Sequence, residues 1–88
     1  MKLVFSDQAW EDYQYWVSTN DKVRDRINEL IKQCKRTPFK GTGKPEPLKG
    51  DLTGWWSRRI SQEDRMVYRV SGADDRQSLE IAQLRFHY

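Results

Sequence analysis

With 88 residues, a formal net charge of +3 and 33% charged side chains, the chain is long enough for one small domain and too short for a second. No apolar run approaches the roughly 20 residues that a membrane-spanning helix needs, and residues 1–6 are too short for a secretory signal. The lone cysteine, Cys34, excludes an intramolecular disulfide and has no partner for a structural zinc site. These features predict a single domain, residues 1–88, in the cytoplasm.

The first half of the chain predicts a strand followed by a helical hairpin. Residues 2–5 are expected to form the strand, and Ser6 is a good N-cap for the helix that follows. Asn20 begins a second helix, so that two helices joined by a short turn form an αα-hairpin. Two apolar stripes at helical spacing are predicted to face the core. They are Trp10, Tyr13, Trp16 and Val17, and then Val23, Ile27, Leu30, Ile31 and Cys34.

The second half predicts a loop and then strands. Residues 37–38 (Thr-Pro) end the second helix, and glycines and prolines mark residues 39–49 as a loop. Irregular alternation between Ile81 and Leu84 indicates a β-bulge. The order β-α-α-β-β-β predicts an α+β fold in which a helical hairpin packs on one face of an antiparallel sheet. The later strands are expected at residues 55–61, 65–71 and 78–88.

Charge is concentrated in the middle of the chain. Residues 32–59 contain eight lysines and arginines against two acids, Glu46 and Asp51. Such a block is the electrostatic footprint expected for a polyanion such as RNA. The alternative is a basic face that serves only solubility.

A carboxylate, a histidine and two arginines together suffice to cleave RNA without a metal. A general base removes the proton of a ribose 2′-hydroxyl, a general acid protonates the departing 5′-oxygen, and cations stabilise the charged transition state. Base and acid must flank the phosphate, and Glu46 in the loop and His87 near the C-terminus come from separate parts of the chain. Arg59 and Arg65 are the candidate cations. Taken singly, Glu46 could merely offset lysine repulsion, and His87 could lie on a frayed end.

Four stretches of the chain form a distinctive set of motifs. They read R-T-P-F-K-G-T-G-K-P-E-P-L-K at 36–49, L-T-G-W-W-S-R-R-I at 52–60, D-R-M-V-Y at 64–68 and F-H-Y at 86–88. Together they closely resemble the YoeB toxins of the RelE/ParE superfamily. The resemblance implies a bacterial toxin of a type II toxin–antitoxin pair. It also implies a ribosome-dependent mRNA endonuclease that needs no cofactor and leaves a 2′,3′-cyclic phosphate and a 5′-hydroxyl.

The resemblance also implies a role for each site residue. Glu46 would be the general base and His87 the general acid. Arg65 would stabilise the scissile phosphate, and Arg59 and Tyr88 would complete the pocket. These roles carry over position by position from the family motif.

Partners follow from the same resemblance. Lys44 and Lys49 would bind message in the ribosomal A site or ribosomal RNA. A YefM-like antitoxin would cover the basic cleft with an acidic, initially disordered segment. A homodimer is expected, with operator DNA bound only through the antitoxin complex.

Two other classes of function stay open from the sequence. A ParE-type gyrase inhibitor would keep the fold without the nuclease residues. A plain RNA-binding or ribosome-associated module would explain the basic block but not Glu46 within it. Of the remaining residues, Arg58 is predicted to be a surface or partner contact and Trp56 to be core.

Overall fold

The computed structural model describes residues 1–87 as a five-stranded sheet with two helices. The strands are β1 (Lys2–Phe5), β2 (Glu46–Pro47), β3 (Trp56–Arg59), β4 (Arg65–Ser71) and β5 (Ser78–Gln83), and the helices are α1 (Asp7–Thr19) and α2 (Asp21–Arg36). Within these residues, neither helix has the length and apolar composition that crossing a bilayer requires. The predicted α+β class, with a helical hairpin on one side of a sheet, is confirmed.

The sheet is mixed, with strand order β1-β5-β4-β3-β2. The predicted antiparallel meander is right for β3, β4 and β5, but β1 pairs with β5 in parallel. Local patterning carries no information on this pairing, because it joins the two ends of the chain. The two-residue strand β2 lies inside the predicted loop, where Glu46 and Pro47 pair with β3.

Two side-chain caps define the helical hairpin. Ser6 Oγ accepts a hydrogen bond of 3.0 Å from the Ala9 N–H, as its sequence position predicts. Asn20 serves both helices, since its backbone N–H donates to the Trp16 carbonyl and its side chain accepts from the Val23 N–H. One residue therefore ends α1 and begins α2, which keeps the hairpin tight.

The core lies between the helices and one face of the sheet. Its α2 side is the predicted stripe, and Cys34 is fully buried within it. The α1 stripe is only partly right, because Trp16 is buried but Trp10 is 54% exposed. Trp10 stacks on Tyr13 at the rim of the fold instead, with ring centres 6.3 Å apart.

The end of the chain leaves the sheet earlier than predicted. Tyr68 pairs with Ile81 while its neighbour Val67 pairs with Gln83, so Ala82 is the extra residue of the predicted bulge. The strand stops at Gln83 rather than running to the C-terminus. Beyond Gln83, the chain bonds to α1 and to the start of β4.

Candidate functional site

Strand alternation divides β3 and β4 into a core side and an opposite side. Trp56 and Tyr68 pair across the two strands, and both pack in the core, as predicted for Trp56. Arg59 and Arg65 also pair with each other. Each lies three residues from its core-facing strand-mate and therefore projects from the other side of the sheet. We call that side the helix-free face.

Four residues form a row across the helix-free face. Glu46 pairs with Ser57, Ser57 with Val67, and Val67 with Gln83, so the row crosses β2, β3, β4 and β5. Residues directly opposite each other in antiparallel strands hold their Cβ atoms about 4.5–5.5 Å apart. Glu46 therefore lies at one end of the row and Gln83 at the other.

Neighbouring side chains cover the centre of this face. Ser57, Arg65 and Val67 are buried even though no helix covers them, and Leu48 beside β2 is buried as well. The exposed Glu46 lies at the edge of this buried centre.

Arg65 is fixed at the start of β4. Its Nη1 donates to the carbonyls of Ser61, Gln62 and Asp64 at 2.8, 3.2 and 3.1 Å. The side chain is only 8% exposed. These bonds hold the guanidinium group in one orientation at the start of β4.

The C-terminal tail lies against this same corner. The Arg65 backbone N–H donates to the Phe86 carbonyl at 3.1 Å, and the Phe86 N–H donates to Asp64 Oδ1 at 2.7 Å. Phe86 has a φ of 65°, a conformation that a bulky residue adopts only when its surroundings hold it there. Both the backbone N–H and the carbonyl of Phe86, the residue before His87, are therefore held by hydrogen bonds.

A second anchor precedes the first. The Leu84 N–H donates to Asp12 Oδ2 at 2.9 Å, and the Trp16 indole N–H donates to the Leu84 carbonyl at 2.8 Å. A cavity of about 330 Å³ opens beside them, lined by Gln8, Asp12, Gln83, Arg85, Phe86 and His87. Gln83, which shares this cavity with His87, ends the row that Glu46 begins. Tyr88 lies outside the described residues.

The prediction that Arg58 is a surface or partner contact is wrong. The side chain is 0% exposed and donates to the carbonyls of Thr37, Lys40 and Thr42 and to the hydroxyl of Tyr68. One buried guanidinium thus ties the loop after α2 to the sheet. The alternation Trp56-Arg58-Ile60 assigns Arg58 to the core side, and that signal could have located it.

The same loop reaches β3 through Gly43. The Gly43 carbonyl accepts a hydrogen bond from the Arg59 N–H at 2.7 Å. Gly43 has a φ of 88°, and a Cβ there would lie only 3.0 Å from a Leu30 methyl carbon, so this approach requires glycine. Lys44 follows with a φ of 51° and leads into β2. The backbone conformation at Gly43 and Lys44 therefore sets the positions of Lys44 and Glu46 beside β3.

The three predicted RNA-binding cations are all exposed, but they occupy different elements. Arg59 ends β3 opposite Arg65, Lys44 precedes β2, and Lys49 begins a 3₁₀ turn at Gly50–Leu52. Arg59 and Lys44 flank the point where the loop meets β3. Within residues 1–87, no three His, Cys, Asp or Glu side chains are grouped to hold a metal ion.

Burial controls the titration of the groups beneath the loop. Desolvation raises the pKa of Tyr68 to about 12, although the hydrogen bond from Arg58 opposes the shift. Desolvation also raises the pKa of the Cys34 thiol. Tyr68 donates to the Pro38 carbonyl at 2.6 Å. The buried phenol therefore stays protonated and helps Arg58 to hold the loop.

Comparison with known proteins identifies the family. Residues 5–88 match the model of the YoeB-like toxin of bacterial type II toxin–antitoxin systems. The chain belongs to the YoeB toxin family. It is 56% identical to the toxin YoeB of Escherichia coli K12 over the full length of both chains. It superposes on a YoeB/ParE toxin from Agrobacterium tumefaciens with a TM-score of 0.96, at 57% identity and with full coverage of both chains.

Relatives have also been solved in assemblies. YoeB of Staphylococcus aureus is known as a dimer and in complex with YefM, with TM-scores of 0.87 and 0.86 to this chain. Identity is 44% and 46%, and each match covers 100% of this chain and 98% of the other. The toxin–antitoxin complex RelBE2 of Mycobacterium tuberculosis, at 20% identity and a TM-score of 0.73, shares the RelE-like fold.

Proposed function

We propose that this chain is a ribosome-dependent endoribonuclease that cleaves message in the ribosomal A site. The observation that carries the proposal is the arrangement on the helix-free face: Glu46 lies at one end of a four-strand row, and the anchored tail that bears His87 lies at the other. Arg65 lies beside this row, next to Arg59. Membership of the YoeB family supports the same assignment.

The proposed reaction is attack by the ribose itself. Glu46 takes the proton of the 2′-hydroxyl, whose oxygen bonds to the adjacent phosphorus. The bond from phosphorus to the 5′-oxygen breaks, and His87 donates its proton to that oxygen. The products are a 2′,3′-cyclic phosphate and a 5′-hydroxyl.

Electrostatic stabilisation falls to the arginines. Negative charge builds on the non-bridging oxygens as the phosphorus becomes five-coordinate, and a cation already held in place stabilises that charge at no reorganisation cost. Arg65 meets this requirement through its three carbonyl contacts. Arg59 adds a second charge opposite it, and Tyr88 is proposed to complete the pocket.

Binding and control are proposed from the same surface. Lys44 and Lys49 would contact the phosphates of message or ribosomal RNA. A YefM-like antitoxin would cover the cleft, and a homodimer would form, as in the S. aureus relatives. Operator DNA would be bound only through the antitoxin complex.

Primer extension on a message translated in a cell-free system tests this function. Wild type should cut within codons, and the cuts should vanish without ribosomes and in Glu46→Ala and His87→Gln. Glu11→Ala, an exposed carboxylate on α1, is the matched control and should cut normally. Growth arrest by a wild type that cuts no message would reject the nuclease and favour a gyrase inhibitor.

A further inference from the structure

The helix-free face continues beyond the row as a second cluster. The guanidinium carbon of Arg69 lies 4.5 Å from the centre of the Trp55 ring, and Arg69 Nε donates to Glu80 Oε1 at 2.7 Å. Ser71 Oγ donates to the other carboxylate oxygen, also at 2.7 Å. Arg69 and Glu80 pair across β4 and β5. We call Trp55, Arg69 and Glu80 the Trp55 stack.

The Trp55 stack is on the same face as the candidate site. Arg69 lies four residues beyond Arg65 on β4, an even spacing that keeps both side chains on one side of the strand. The distance along the strand is about 13 Å. An RNA chain whose phosphate lies at Arg65 can therefore bring a flanking nucleotide over the Trp55 stack.

Trp55 is held in place but does not fill the core. Its backbone N–H donates to the Leu52 carbonyl at 3.0 Å, and its backbone carbonyl accepts from the Leu48 N–H at 2.9 Å. The neighbouring Trp56 supplies the indole that packs against the core. Trp55 is thus partly exposed, with its backbone held by these bonds and its ring packed on the Arg69 guanidinium group.

The charge balance of the Trp55 stack favours a base over a phosphate. Glu80 neutralises Arg69 through a direct ion pair, so the cluster offers no net positive charge to a phosphate. What it does offer is an indole backed by a flat guanidinium group, which is the type of platform on which nucleobases stack.

We propose that the Trp55 stack is a binding subsite for the nucleobase of a nucleotide flanking the scissile phosphate. The inference rests on the proposed function, to which it adds a base-binding position outside the acid–base pair. Glu80 and Ser71 orient Arg69, and Arg69 orients the indole. The platform accepts any base, with a preference for bases that stack strongly.

The proposal is tested by removing the indole from the protein and the base from the RNA, first separately and then together. Short single-stranded RNAs, blocked against cleavage by 2′-O-methyl groups, carry one abasic nucleotide at each position in turn. Binding of each RNA is measured by fluorescence anisotropy at low salt for wild type, Trp55→Ala and Trp55→Phe. Wild type should lose about five- to hundredfold in affinity at one abasic position, the range expected for one stacked base.

The variants decide whether that loss reports Trp55. Trp55→Ala should bind the intact RNA more weakly and show no further loss at that position, whereas Trp55→Phe should restore most of the loss. Trp10→Ala, which removes the exposed tryptophan of α1, should behave as wild type. A thermal melt of each variant verifies that it is folded.

Three results would overturn the subsite: a wild type that binds all abasic RNAs equally, a Trp55→Ala variant that keeps the discrimination, or a wild type that binds no RNA. Because the RNAs cannot be cut, the outcome is independent of cleavage. If the wild type discriminates among the abasic RNAs but cuts no message on ribosomes, the proposed nuclease function is wrong and the base-binding subsite still stands.

Discussion

The carboxylate of Asp12 in α1 accepts a hydrogen bond of 2.9 Å from the backbone N–H of Leu84, which joins the first helix to the C-terminal tail. Asp12 is buried and also accepts from the Gln8 side chain at 2.9 Å. Through this bond, a residue of the first helix sets the path of the chain toward His87. Nothing in the local sequence distinguishes Asp12 from the other acids on α1.

Asp12→Ala should therefore impair cleavage through the position of His87. Removal of the carboxylate leaves the buried Leu84 N–H unsatisfied, which costs about 1–3 kcal/mol of unfolding free energy. We expect the single-turnover cleavage rate to fall by roughly tenfold in folded protein, from misalignment of the acid. Asp12→Asn keeps an acceptor oxygen and should recover most of the rate. Equal rates for wild type and Asp12→Ala would show that the tail does not depend on this bond.

Arg58→Met should destabilise the protein more than any exposed arginine substitution. The change leaves three backbone carbonyls and the Tyr68 hydroxyl without their buried donor, and we expect a loss of roughly 3 kcal/mol in urea unfolding. Arg24→Met, which removes exposed ion pairs with Asp21 and Asp25, is the control and should change stability far less, because exposed ion pairs contribute little. Similar losses for the two variants would contradict the role of Arg58 in holding the loop.

Tyr68 should make the protein sensitive to alkaline pH. Its pKa is about 12 in the fold and about 10 in an unfolded chain, so between these values the unfolded state releases a proton that the native state keeps. The contribution of Tyr68 to stability is then constant below about pH 10 and falls as pH rises toward 12, by at most about 1.4 kcal/mol per pH unit. The raised pKa of Cys34 adds a loss of the same sign.

Unfolding free energies of wild type and Tyr68→Phe across this pH range isolate the phenol. At neutral pH, the variant should be less stable because it lacks the two hydrogen bonds of the phenol. Above pH 10, its stability should decline less steeply because phenylalanine cannot ionise. Cys34→Ala in both backgrounds separates the thiol. Parallel pH profiles for wild type and Tyr68→Phe would mean that the phenol ionises equally in both states.

Lys44 and Lys49 should contribute to RNA binding in a salt-dependent manner. Each phosphate contact to a single strand contributes about 0.7 to the slope of log affinity against log salt. Lys44→Gln and Lys49→Gln should each reduce the slope by about that amount, without regard to RNA sequence. Lys22→Gln, an exposed lysine at the start of α2, should leave the slope unchanged. If the slope is unchanged in all three variants, Lys44 and Lys49 do not contact RNA phosphates.

The elements that sequence patterns locate well are those whose reasons are local. Ser6 and Asn20 cap the helices, and the alternation from Arg65 to Ser71 gives β4 with the bounds that the structure shows. The bulge before Gln83 was also visible as broken alternation. In each case, a short run of residues contains the whole physical cause.

The features that the patterns missed depend on distant partners. Arg58 is charged, yet it is buried because loop carbonyls 16 to 21 residues away surround it. The tail leaves the sheet because Asp12, 72 residues away, captures Leu84. The placement of Glu46 in the row that ends near His87 likewise follows from strand order, which local patterns do not determine.

The division of labour between Glu46 and His87 is best tested by changing the leaving group. A message with sulfur in place of the bridging 5′-oxygen at the cut codon releases a thiolate, which needs no general acid. On ribosomes programmed with this message, His87→Gln should cut at nearly the wild-type rate, whereas Glu46→Gln should remain as impaired as on normal RNA. Rescue of Glu46→Gln, or failure to rescue a folded His87→Gln, would contradict the assignment of Glu46 as base and His87 as acid.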